Sequence, residues 1–372
     1  MEGKVAVFRG KREFELKSFP VPDPAPGAAI IKTSLANICG SDLHIWRGEM
    51  ASVYPPTDNG YVVGHEMTGR ILALGDGVSK DSLGRPLGVG DRVAHCYFYP
   101  CGRCRTCLRG DLYCCPFKGR FPRIAGVAPY FVAAYGEYYY LHPGHFVFKV
   151  PDEIPDELVA PLNCALSQVL FGLQHVGLRF GDYLVVQGAG GLGLYATAVA
   201  KEMGAAKVIV IDALENRLEL ARAFGADEVI NLTKHPTVAE RVGIVKELTD
   251  GYGADVAMDV VGIPSVIQEG IQLIRDGGRY LEIGCICPGP TFELEPGYLV
   301  RHSKRIVAIL QYDPSALADA IEFVRRNLTR LPFEKILSHK FAFEDINEAF
   351  QKAEWFGRQT EAPITRAALV AN

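Results

Sequence analysis

The chain has 372 residues, 48% of them hydrophobic and 22% charged, with a formal net charge of −4 at pH 7. A disordered chain would carry fewer apolar residues and more net charge, and a pI of about 6.2 excludes the broad basic surface that nucleic acid requires. At roughly 150 residues per domain, this length calls for two or three domains.

In chain order, residues up to about 155 read as β-rich. Short apolar runs at 29–33, 61–63 and 92–95 are separated by Gly, Pro and Asp, and Gly84, Gly88 and Gly90 punctuate the chain. Such spacing predicts a small barrel or sandwich with long loops. From residue 183 the pattern changes. Strands predicted at 183–187, 207–211, 228–231, 254–260 and 278–283 alternate with helices, one ending at 203 and others at 215–224, 238–248 and 265–274. That alternation builds a parallel, doubly wound α/β sheet. A helix at 315–327 and a mixed tail to 372 close the chain.

The uncharged run 183–200 contains Gln187 and four glycines. It reads as strand, turn and helix, so no membrane span is expected. Residues 1–10 carry charge and strand-like alternation where an export signal would have an apolar stretch. Half of the ten cysteines crowd between 101 and 115, which points to metal thiolates in a reducing cytoplasm.

Gly188-Ala189-Gly190-Gly191-Leu192-Gly193 fits GxGxxG, directly after a predicted strand and opening a predicted helix. Gly188 permits the tight turn, Gly190 lets a pyrophosphate approach the backbone, and Gly193 lets helix and strand pack closely. The helix start then offers free N–H groups to the phosphates. Asp212 ends the next strand, 24 residues after Gly188. A carboxylate there accepts the ribose hydroxyls and repels the extra phosphate of NADP, so the expected cofactor is NAD.

Cys101, Cys104, Cys107 and Cys115 have spacings of two, two and seven residues. Four thiolates close a tetrahedral zinc site with no open position, a structural zinc. Cys114 adjoins this set and is a candidate to exchange with Cys115. Cys96, Cys285 and Cys287 read as small core residues.

Three further segments carry no local metal motif: Cys39-Gly40-Ser41-Asp42-Leu43-His44, Gly64-His65-Glu66 and Pro161-Leu162-Asn163-Cys164. Together with the lobe and the glycine turn, in this order, they make the chain resemble the zinc-dependent alcohol dehydrogenase family of the medium-chain dehydrogenase/reductase superfamily. The likeness runs nearly end to end. It implies a GroES-like catalytic domain over 1–160 with a zinc lobe at about 96–118, a Rossmann domain over 161–310, and a segment 311–372 returning to the first domain.

The same resemblance implies that Cys39, His65 and Cys164 ligate a catalytic zinc, a second zinc per chain, whose fourth position takes water or substrate oxygen. Glu66 would stand behind it as an occasional ligand. Asp42 would accept a hydrogen bond from the far nitrogen of His65. Ser41 would touch the substrate hydroxyl, and His44 would pass its proton toward water. Leu192 would press on the nicotinamide, Arg217 would lie beside the adenosine ribose, and Arg366 would approach the pyrophosphate. The implied reaction is hydride transfer between a small-molecule alcohol and NAD, with zinc acidifying the hydroxyl, in a homodimer or homotetramer.

Polyol and threonine dehydrogenases of this superfamily usually carry an acid before the Pro-Leu of the third-ligand region. Here Ala160 stands there and Cys164 is offered instead, which points to the simple alcohol dehydrogenase arrangement. Trp46, Tyr97 and the aromatics Phe121, Tyr130, Phe131, Tyr135, Tyr138, Tyr139, Tyr140, Phe146 and Phe148 read mostly as core or interface, with some as candidate walls for a bulky or hydrophobic secondary alcohol. The alternatives are a polyol or amino-alcohol dehydrogenase on the same scaffold, and a zinc-less quinone or enoyl reductase, which would lack the three ligands.

Overall fold

A computed structural model describes residues 1–119, 123–354 and 366–371. They group into two compact units, one of residues 1–167, 313–354 and 366–371 and the other of residues 168–312. Among the described residues, no helix is long and apolar enough to cross a membrane.

The first unit is built on β-strands β1 (Glu2–Phe8), β2 (Phe14–Pro20), β3 (Ala29–Asn37), β4 (Tyr61–Val62), β5 (Glu66–Leu74), β6 (Arg92–His95), β7 (Tyr138–Leu141) and β8 (Val147–Lys149). Strands β1, β3 and β7 are buried on both faces, and their alternate side chains enter different cores. Ala6, Phe8, Ala29, Ile31, Tyr139 and Leu141 pack in one cluster, while Val5, Val7, Ile30, Tyr138 and Tyr140 pack in another. Because side chains on a strand alternate with a period of two, the run Tyr138-Tyr139-Tyr140 feeds both cores. Phe131, Tyr135 and Phe148 are also buried, and Tyr130 stacks on Phe19. The aromatic segment is therefore mostly core, and so is Trp46, which packs against Phe350. Phe121 lies outside the described residues.

The second unit holds β9 (Tyr183–Gln187), β10 (Lys207–Asp212), β11 (Glu228–Asn231), β12 (Ala254–Asp259), β13 (Ile274–Glu282) and β14 (Arg305–Ala308) in one parallel sheet, in the order β11-β10-β9-β12-β13-β14. Leu184, Val185, Val186, Val256, Ala257 and Met258 are fully buried, the continuous apolar runs that a sheet covered on both faces demands. Neighbouring strands leave β9 in opposite directions, so the order reverses between β9 and β12. Ligands bind at such a switch point, beyond the carboxyl ends of the strands. The sixth strand, β14, is not apparent in the sequence. It has four residues at the sheet edge, three of them exposed, so no burial pattern marks it.

Two more strands, β15 (His339–Ala342) and β16 (Ala367–Val370), belong to the first unit. β16 pairs antiparallel with β3, which extends the sheet to the order β15-β16-β3-β5-β6-β8 with β7 also on β3.

His95 ends β6 with no exposed surface, 4.3 Å from the ring of Tyr139, and neither ring nitrogen has a hydrogen-bond partner among the described residues. Burial pushes its pKa from 6.5 down to about 3. His145, 5.9 Å away, is held well below its usual range by burial and then by His95. The unfolded chain protonates these rings near pH 6.5, whereas the fold keeps them neutral. For His95 this stabilisation is complete above that pH and is lost as pH falls toward 3, by about 1.4 kcal/mol per unit, and His145 adds in the same direction. Urea unfolding is expected to give about 2 kcal/mol less stability at pH 5 than at pH 7 from His95 alone. His95→Leu should flatten that slope, and an unchanged slope would remove His95 as its source.

Candidate functional site

Cys39 is the N-cap of helix α1 (Gly40–Arg47). Asp42, three residues on, accepts the Cys39 N–H at 3.1 Å, and Gly48 ends the helix in a left-handed conformation at φ 83°. This reciprocal cap, with the positive helix end, turns the Cys39 sulfur toward the first unit's interior. Gly64, at φ +93°, delivers His65 from β4. Cys164 sits in one π-helical turn, Leu162–Leu166, a local widening often found at functional sites.

These three elements converge. One ligand atom each from Cys39, His65, Glu66 and Cys164 lies within 4.8 Å of the others, and none of the four residues is more than 9% exposed. The Nε2 of His65 is 3.2 Å from the Cys164 sulfur. A hydrogen bond from Cys164 pulls the Cys39 thiol well below its usual range, against burial, and Cys39 in turn pushes Cys164 well above it. The two sulfurs and the imidazole make a zinc-type donor set. Burial opposes the charging of His65, but Asp42 and Cys39 outweigh it and raise its pKa well above the usual value.

The surroundings answer this charge. Asp42 Oδ1 is 3.5 Å from His65 Nδ1, and its Oδ2 accepts the hydroxyl of Tyr135 at 2.7 Å. Asn163 donates to the His65 carbonyl at 2.8 Å. Arg366 does not stand free for a pyrophosphate. Its guanidinium donates to the carboxylate of Glu66, and both side chains are buried. Burial raises Glu66 above the carboxylate range while Arg366 pulls against it. Ser41 and His44 lie on α1, half-buried, and the His44 Nδ1 meets the Glu49 carboxylate. Tyr97 presents its ring edge to His65, with centroids 5.0 Å apart. Tyr135 was legible only as a candidate wall, and Asn163 and Glu49 had no assigned role although they lie close in sequence to Cys164 and His44.

The lobe cysteines Cys101, Cys104, Cys107 and Cys115 also gather within 4.8 Å. The Cys104 sulfur is 3.5 Å from that of Cys107 and 3.8 Å from that of Cys115. A tetrahedron with zinc–sulfur bonds of about 2.3 Å has edges of about 3.8 Å, so the sulfurs fit that ion closely. Backbone N–H groups, that of Cys107 foremost, lower Cys104 to about 6. Cys114 is exposed and outside the cluster, and all ten cysteines are free of disulfides.

In the second unit, Gly188 has φ +105°, and a Cβ on Gly193 would meet the Gly188 carbonyl oxygen at 1.9 Å. A Cβ on Gly190 would meet nothing within 4 Å, so that face of the turn is open to a ligand. Gly191 and Leu192 begin helix α2 (Gly191–Glu202), with Leu192 half-buried. Asp212 has more to do than its spacing suggests. Its Oδ2 accepts the Ala189 N–H of the glycine turn at 2.8 Å and its Oδ1 the Leu214 N–H at 3.0 Å, while Arg217 approaches to 3.9 Å. Cys96 is fully buried, as a core residue should be. Cys285 and Cys287 are only half-buried, and Cys285 sits beside Asp259 and Glu282 at the ends of β12 and β13.

A parallel sheet with an open glycine turn, and a β-rich unit with two zinc-type donor sets, define a zinc-binding dehydrogenase. Comparison with known proteins agrees. The family description "Alcohol dehydrogenase GroES-like domain" matches residues 25–152 and "Zinc-binding dehydrogenase" matches residues 191–326. The chain is 32% identical over 349 residues to 5-exo-hydroxycamphor dehydrogenase of Pseudomonas putida, covering 94% of each. It is 36% identical over 361 residues to L-threonine 3-dehydrogenase of Pyrococcus furiosus, covering 94% of this chain and 95% of that one. The crystal structure of an alcohol dehydrogenase from Thermotoga maritima superposes with a TM-score of 0.89 at 25% identity, over 100% of this chain and 99% of that one. The chain belongs to the zinc-containing alcohol dehydrogenase family of the medium-chain dehydrogenase/reductase superfamily, an enzyme family that uses zinc and NAD(P).

The turn yields a direct prediction. Gly193→Ala forces a Cβ against the Gly188 carbonyl and should weaken NADH binding, read by nucleotide fluorescence, by at least about tenfold. Wild-type affinity in the variant would mean that the turn does not carry the dinucleotide.

Proposed function

We propose that the chain transfers hydride between NAD and an alcohol, giving the ketone from the secondary, bulky or hydrophobic alcohol this reading favours and the aldehyde from a primary one. The observation that carries this reading is the convergence of Cys39, His65 and Cys164, with Glu66, in one buried space. In it, these three side chains hold a catalytic zinc, Cys101, Cys104, Cys107 and Cys115 hold a structural one, residues 1–160 and 311–372 make up the catalytic domain, and residues 161–310 make up the NAD domain. When bound, zinc supplies Lewis acidity to a substrate oxygen and NAD supplies the hydride acceptor.

The chain's own residues do the rest. Asp42 holds the His65 ring so that Nε2 faces the metal position. Ser41 Oγ takes the alcohol proton and His44 carries it toward solvent, its Nδ1 anchored on Glu49. Arg366 keeps Glu66 paired, so a buried carboxylate does not stand uncompensated. Gly188, Gly190, Gly191 and Gly193 seat the pyrophosphate, Leu192 backs the nicotinamide, and Asp212 with Arg217 meets the adenosine ribose. The free thiols suit a cytoplasmic enzyme, and a homodimer or homotetramer completes the reading.

Tyr97, edge-on to His65, places an aromatic wall at the metal position and favours an apolar substrate. A second reading, an amino-alcohol or polyol dehydrogenase, draws on the 36% identity to the Pyrococcus furiosus threonine enzyme. Against it, the fully buried Ala160 stands where such relatives usually carry an acid. The two thiol-rich donor sets argue against a zinc-less reductase.

Elemental analysis should find two zinc ions per chain, and one alone would remove either the open site or the lobe. An absorbance screen with NAD should give kcat/KM values at least about tenfold higher for cyclic or aromatic secondary alcohols than for sorbitol or threonine, since apolar contacts discriminate at that scale. The reverse order would establish the second reading. Asp212→Asn keeps an acceptor for the Ala189 N–H and removes the charge. It should raise the KM for NAD about tenfold and narrow the preference over NADP, and an unchanged preference would take Asp212 out of cofactor selection.

A further inference from the structure

We infer that Tyr135 is a positioning residue for His65, acting through Asp42: its hydroxyl occupies one oxygen of the Asp42 carboxylate so that the other is kept for the imidazole. This rests on the reading of Cys39, His65 and Cys164 as zinc ligands.

Asp42 is 1% exposed, so bulk water does not reach its carboxylate. Its Oδ2 takes two donors, the Cys39 N–H at 3.1 Å and the Tyr135 hydroxyl at 2.7 Å. Its Oδ1 has no hydrogen-bond partner among the described residues and lies 3.5 Å from His65 Nδ1. With Oδ2 filled, the only acceptor left on the carboxylate faces the ring. The Nδ1–H is then directed at Asp42, which leaves Nε2, 3.2 Å from the Cys164 sulfur, as the ring atom for the metal. A phenol has one proton to give. The Asn37 carbonyl is also near, at 3.3 Å, but the charged acceptor at 2.7 Å makes the stronger bond.

The ring itself is built in. Tyr135 is 1% exposed and meets Phe14 and Phe350 edge to face, with centroids at 6.2 and 5.5 Å. It also lies over Gly64, where a Cβ would come within 2.8 Å of it. The residue before His65 must therefore be glycine, and the tyrosine that clears this space is the one that reaches Asp42. The Tyr135 and Ala134 N–H groups bond the carbonyls of Val63 and Gly64, which ties the two segments together. Through ring and hydroxyl, Tyr135 sets both the backbone and the tautomer of the histidine.

Tyr135→Phe removes only the hydroxyl and keeps the packing, so the thermal midpoint should stay close to that of the wild type. Three readouts apply: zinc content, the rate of zinc release to a chromophoric chelator, and the visible bands of the cobalt(II)-substituted enzyme. The expected result is an enzyme in which one of two release phases quickens ten- to hundredfold, the scale for losing a partner of a ligating histidine, with shifted cobalt bands. In an Asp42→Asn background the same change should add less than about threefold, because the two residues act in series. If the wild type holds two zinc ions and Tyr135→Phe releases both at the wild-type rate with unchanged bands, the role of Tyr135 is refuted and the zinc reading stands. A full, independent effect of Tyr135→Phe on top of Asp42→Asn also refutes it. A wild type with only the lobe zinc overturns both readings.

Discussion

Cys39, His65, Glu66 and Cys164 bring four ionisable groups into a space that water scarcely reaches, and most of the neighbouring structure answers that constraint. A buried charge is tolerated only when paired and hydrogen-bonded. Asp42 accordingly opposes His65, and Arg366 opposes Glu66. The start of α1 stands behind Cys39, and the Asn163 amide holds the His65 carbonyl. The site is a set of opposed charges whose geometry is held by the strands and turns that carry them.

The second unit solves a different problem, which is to leave a backbone exposed on purpose. The apolar strands β9, β10 and β12 are buried, and the turn after β9 is glycine at 188 and 193, where a Cβ would strike the chain, and at 190, where one would meet nothing. Asp212 shows how closely fold and function share residues. The carboxylate proposed to select NAD also braces the turn through the Ala189 N–H, so a change there acts on both.

Much of this was legible in the residues. The alternation of strands and helices from 183 onward appears in the structure with boundaries moved by a few residues at most, because a covered parallel sheet needs unbroken apolar runs between polar turns. The lobe was legible because its four sulfurs lie within fifteen residues of chain, close enough for spacing alone to bring them together. The aromatic segment was ambiguous. Its rings suited either a core or the walls of a site, and most fill the two cores that flank β1, β3 and β7. A doubly buried strand and a lined pocket demand the same residue types, and composition does not separate them.

By itself, then, the sequence determined the parallel sheet, the glycine turn with its following acid, and the four-sulfur lobe, since each is set by local chain geometry. The likeness to a known family added which distant residues to watch. Only the tertiary structure decided that Arg366 pairs with Glu66 across 300 residues, that His65 meets Cys164 across 99, and that Tyr135 reaches Asp42 across 93. No spacing rule spans such intervals. Those contacts exist because sheet pairing folds remote segments onto one another, and the resulting burial forces each polar group to find a partner.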